Sequence, residues 1–72
     1  MSRRKHRHAT YDQLYRVIVQ ELWETISPQL SDEDRLEAEA WLARIRNPLN
    51  QRAYLLGLAE EVGIELEPRL RG

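Results

Sequence analysis

Apolar residues in this chain return every three or four positions, the period of a helix, and polar punctuation divides them into three runs. In the first run, Tyr11, Leu14, Tyr15, Ile18, Leu22 and Ile26 fall on one stripe, with Arg16, Gln20 and Glu24 opposite. Thr10 followed three places later by Gln13 has the spacing of a capping box, in which two side chains satisfy free backbone N–H groups at a helix start. Pro28 disfavours helical geometry at Ser27. A helix over 11–26 follows. Val17 lies off the stripe, and Trp23 flanks it beside Val19.

The second run opens at Ser31-Asp32-Glu33-Asp34. A hydroxyl at the N-cap and three carboxylates in the first turn both favour a helix start, since the helix dipole attracts negative charge there. Arg44 and Arg46 suit the other end, which predicts a helix over 32–46. A surface helix ordinarily shows one apolar stripe, and this one has two. Leu36, Ala40 and Ala43 form a narrow face, expected to be the core side within one chain. Ala38, Trp41, Leu42 and Ile45 form a bulkier face, expected to anchor a partner. The reverse assignment, bulky face inward and small face free, weakens the case for a partner.

Asn47-Pro48 reads as N-cap and first helical position, because the N–H that proline lacks has no helical partner there. Gly63 marks the far end as a left-handed closing residue, with Ile64 folding back on the last turn. The helix predicted over 48–62 is apolar around most of its girth. Gly57 interrupts it at a cost of about 1 kcal/mol relative to alanine, for which close packing by another backbone is the expected reason. In the last residues, 65–72, Pro68 opposes a further helix. The reading is therefore all-α: a small three-helix bundle at 10–64, preceded by a basic, flexible N-terminal arm at 1–9 and followed by a short non-helical C-terminal tail.

Size sharpens this reading. A chain of 72 residues buries only about 60% of its unfolded surface, so its core is thin. It has no cysteine, which removes disulfides and thiolate metal sites, so a partner chain is the remaining form of help. No apolar run reaches the roughly 18 residues of a membrane span, and no apolar stretch follows the basic N-terminus as in a secretory signal. The expected location is the cytoplasm.

The near-neutral formal charge of −1 conceals an asymmetry. Arg3, Arg4, Lys5 and Arg7 crowd the first eight residues without an acid, and the remainder is net acidic. Such cations can grip phosphate and release counterions, although no aromatic residue is interleaved with them. An acidic protein partner or the acids of the second helix are the other recipients. His6 and His8 lack a fixed third ligand for zinc. Residues 58–64 resemble the first part of a helix-turn-helix locally, but Glu65, Glu67 and Pro68 stand where a recognition helix is required. The acids at Asp32, Glu33, Asp34, Glu37 and Glu39 read as a solvated face. No catalytic, metal or nucleotide motif is present, and no cofactor or small-molecule substrate is expected.

The expectation for function is a non-catalytic helical protein–protein interaction module, a small regulator, adaptor or assembly subunit that forms homo-oligomers or docks on a larger protein. Its candidate interface residues are Ala38, Trp41, Leu42, Ile45 and Trp23, since exposed aromatic residues supply much of the energy of protein interfaces. The alternative is a nucleic-acid-associated accessory protein that uses Arg3, Arg4, Lys5 and Arg7 for phosphate contacts.

Overall fold

A computed structural model describes the backbone of residues 2–71 and the side chains of residues 13–71. Its described residues are all-α, with α1 at Ser2–Ile26, a single 3-10 turn at Ser27–Gln29, α2 at Asp32–Arg44, α3 at Pro48–Val62 and a short α4 at Pro68–Arg71. The particle measures 46 × 26 × 15 Å, elongated because α1 has 25 residues against 13 in α2 and 15 in α3.

The helix ends follow local chemistry. Pro28 turns the chain from α1 into the 3-10 turn, and the Gln29 side-chain amide donates to the Thr25 carbonyl at 2.9 Å. The Ser31 hydroxyl accepts from the Asp34 N–H at 3.1 Å, capping α2 as its sequence predicts. Asn47 accepts from the Leu49 N–H at 2.8 Å and caps α3. Gly63 closes α3 with φ 77°, the left-handed conformation that glycine adopts without penalty. The Ile64 N–H then returns to the Ala59 carbonyl at 2.8 Å, the Schellman arrangement.

Several expectations are corrected. The first helix does not begin at Thr10. It continues back to Ser2, through a segment without Pro or Gly to stop it. The second helix ends at Arg44, and Ile45 is extended at φ −85°, ψ 110°. The tail is not wholly non-helical, because Pro68 opens α4. Proline is tolerated at the first position of a helix, and burial of Leu70 holds the turn in place.

The core joins Leu22 and Ile26 of α1, Leu30, Ala38 of α2, Leu55 and Ala59 of α3, and Leu70 of α4. α1 and α3 make the most extensive helix pairing. Ile18, Val19, Trp23, Leu42 and Tyr54 pack around this centre. The stripe of α1 is therefore unevenly used: Ile18, Leu22 and Ile26 face the body, whereas Leu14 is 55% exposed.

The two faces of α2 are the reverse of the leading expectation. Ala38 is fully buried, and Leu42 and Ile45 are half-buried, whereas Leu36, Ala40 and Ala43 are exposed, Leu36 to 66%. Residues 38, 42 and 45 share one face at helical spacing. They supply more apolar surface to the core than two alanines and a leucine would. The Gln51 amide on α3 fixes this orientation by donating to the carbonyls of Ile45 at 2.6 Å and Leu42 at 3.2 Å. These are carbonyls that a helix end leaves without internal partners.

Candidate interaction surface

Trp41 departs from the rest of its face. The residue stays 45% exposed, its ring beside Tyr54 of α3 at 6.4 Å between ring centroids and 36° between planes. The Arg44 guanidinium lies 5.8 Å from the Trp41 ring centre, within reach of a cation–π attraction. The two aromatic rings border an open groove of about 410 Å³ between α2 and α3, to which Ala53, Gly57 and Leu58 also contribute and whose acids are Glu37 and Glu61. Burial first, and then the charges of Glu37, Glu61 and Asp34, raise the Tyr54 phenol above its ordinary pKa.

Gly57 is part of this groove, and the expected close neighbour is missing. A Cβ built at Gly57 meets no atom within 4 Å. The helix thus carries an interior glycine, with its conformational cost, at a place where nothing in the described chain requires the space.

The sequence-predicted interface residues do not form one site. Ala38 belongs to the core and offers no surface. Trp23 and Leu42 line a different groove, with Val19 and Gln51 and with Arg16 and Gln20 at its edge. Ile45 is half-buried, and its carbonyl is occupied by Gln51. Only Trp41 lies in the α2–α3 groove, where its companions are Tyr54, Gly57, Glu37 and Glu61. Gly57 was the available sequence signal for that grouping. The side chains of Arg3, Arg4, Lys5 and Arg7, and of His6 and His8, lie outside the described residues.

A second polar cluster joins α1 to the C-terminal turn. Arg69 pairs with Glu21 at 2.7 Å and with Glu67 at 3.3 Å, and its hydrogen bond to Glu21 is the leading cause of a raised pKa. Arg52 donates to the Arg71 carbonyl at 3.0 Å. These contacts hold α4 against α1 and α3 at exposed positions, where ion pairs stabilise weakly.

Among the described residues, no group of three or more His, Cys, Asp or Glu side chains is arranged to hold a metal ion. No described helix is long and apolar enough to cross a membrane. No family model, curated protein or solved structure matches this chain.

Proposed function

We propose that this protein is a non-catalytic interaction module that binds another protein through the α2–α3 groove. The observation that carries the reading is Trp41, left 45% exposed beside Tyr54 in a groove shared with a helix-interior glycine that has open space over it. An exposed aromatic ring at the border of a shallow groove suits an anchor residue at a protein interface. The carboxylates of Glu37 and Glu61 at this groove favour a segment whose apolar side chain is flanked by Lys or Arg. Glycine at position 57 lets the backbone of that segment approach closely.

Site-directed photo-crosslinking in native host cells tests this. A photoreactive residue replacing Ala53 in the groove is expected to give a discrete protein adduct, lost on Glu37→Lys with Glu61→Lys. The same group at exposed Ala43 is the control. Equal adducts at both positions, or adducts indifferent to the charge reversals, would contradict the groove. Adducts to nucleic acid alone would favour the phosphate-binding alternative.

A further inference from the structure

Leu14 and Val17 are more than half exposed on α1, at 55% and 54%, and they are not on the face that α1 turns to the core. That face carries Ile18, Leu22 and Ile26. The helical period places Leu14 and Val17 on an adjacent line instead, together with Glu21 and Glu24 toward one end and positions 3 and 7 toward the other. With Thr10, this line recurs at alternating intervals of four and three residues from position 3 to position 24. Such alternation is the heptad spacing by which two helices meet along a seam. The seam is sorted by charge: Arg3 and Arg7 at its start, the apolar pair in its middle, Glu21 and Glu24 at its finish.

A line that runs from cationic through apolar to anionic is complementary to its own reverse. We propose that α1 is the contact surface for a second copy of this chain, with two α1 helices packed antiparallel across a two-fold axis between residues 14 and 17. In the heptad register, position 14 of one copy comes opposite position 17 of the other, and position 7 opposite position 24. The paired positions run from 7 to 24, about 26 Å at 1.5 Å per residue. Arg69 already pairs with Glu21 and with Glu67. That three-residue cluster keeps one net negative charge, and Glu24 adds another, so this end of the seam can still accept cations. This specifies the self-association contained in the interaction-module reading, on a surface separate from the Trp41 groove.

The helix itself supplies a second argument. α1 has no acidic residue in its first turn and carries Arg3, Arg4, Lys5 and Arg7 near its N-terminus. Cations there oppose the helix dipole. The turns of α1 before Ile18, which the core does not hold, form a segment short enough to be marginal as an isolated helix in water. In the antiparallel pair, the acidic end of one copy lies beside the basic first turns of the other and offsets that cost. A parallel pair would place like charges together at both ends, which is unfavourable.

Sedimentation equilibrium of the full chain over a concentration series tests the proposal, with circular dichroism to verify that each variant stays helical. The wild type is expected to pass from monomer to dimer and to dissociate as salt rises, because exposed charge pairs are screened. Arg7→Glu and Glu24→Arg should each weaken the dimer about tenfold, since each replaces two attractions by two repulsions. Combined in one chain, they should restore it, because an antiparallel seam then faces Glu at 7 with Arg at 24. A parallel seam gives no such rescue. Leu14→Glu should give a folded monomer.

A wild type that stays monomeric throughout overturns the seam. So does a dimer indifferent to both single reversals. If that dimer is instead broken by Trp41→Glu, the interaction-module reading stands while the α1 seam fails. A monomer that binds generic duplex DNA in a salt-dependent way, weakened by Arg7→Glu, assigns the cations to phosphate and overturns the seam as well.

Discussion

The two halves of α1 are chemically similar and physically different. From Ile18 to Ile26, the helix presents Ile18, Leu22 and Ile26 to α3 and the rest of the core, and Leu22 and Ile26 are fully buried. Just before Ile18, Leu14 and Val17 are as apolar and stand more than half exposed. Angle and length together account for the difference: Val17 lies off the stripe, and Leu14 lies at its edge where the neighbouring helices no longer reach. A helix of 25 residues extends about 37 Å, whereas the 13 and 15 residues of α2 and α3 extend only about 20 Å each. Two short helices cannot cover a long one. An apolar stripe therefore shows which face of a helix seeks burial, and the lengths of its neighbours decide how much of that face the same chain can bury.

The strongest way to break this comparison is to truncate one leucine from each half. Leu22→Ala should cost 2–5 kcal/mol, roughly the range for emptying a buried leucine site, and in so small a domain should leave much of the population unfolded. Leu14→Ala should shift monomer stability by less than about 0.5 kcal/mol, as surface substitutions do. Chemical denaturation at a concentration low enough to keep the chain monomeric compares them. Similar losses would mean that the N-terminal half also belongs to the core.

Smaller effects sharpen the same contrast at α2 and α3. Ser31→Ala removes the hydroxyl that accepts from Asp34 and should lower stability by about 1 kcal/mol. An unchanged thermal midpoint would place the start of α2 elsewhere. Gly57→Ala should raise stability by up to about 1 kcal/mol, and the midpoint with it, because the added methyl enters open space and alanine favours the helix. On the groove reading, that gain in stability comes with weaker crosslinking at position 53. A lower midpoint would reveal an unrecognised neighbour over Gly57.

The smallest effect expected is on pH dependence. Burial raises the Tyr54 phenol in the fold, so the unfolded chain releases that proton first as pH increases. Stability from this group is constant below the ordinary tyrosine range and declines above it. Tyr54→Phe should flatten that alkaline decline in a series of thermal melts. An unaltered slope would assign it to other groups.

Helix ends were the most legible part of this chain, because capping is local chemistry. Ser31, Asn47 and Gly63 each have a side chain or backbone freedom that marks a boundary, and each stands at one. The far N-terminus was less legible. Thr10 and Gln13 have capping spacing, but capping residues also occur inside helices, and nothing before them breaks one. Pro68 was misread because proline ends a helix in one position and opens it in another. The orientation of α2 depended on tertiary packing: both of its faces are apolar, and the choice was made by Leu42, Ile45 and the Gln51 amide from α3. Around Trp41, the residues contributed by α3 were not legible from periodicity alone, since α3 is apolar on most of its circumference. Only the misplaced glycine pointed there.

The account rests on a division within α1, one half held by its own chain and the other by a second copy. Amide hydrogen exchange across α1, measured at low and high protein concentration, tests this most directly. Residues 18–26 should already exchange slowly when dilute, because their protection comes from the core, and should slow further only as far as dimerisation stabilises the whole fold. Residues up to Val17 should exchange rapidly when dilute and slow markedly as concentration rises, with the gain abolished by Arg7→Glu and recovered when Glu24→Arg is added. Protection of the N-terminal half that is independent of concentration would contradict the account.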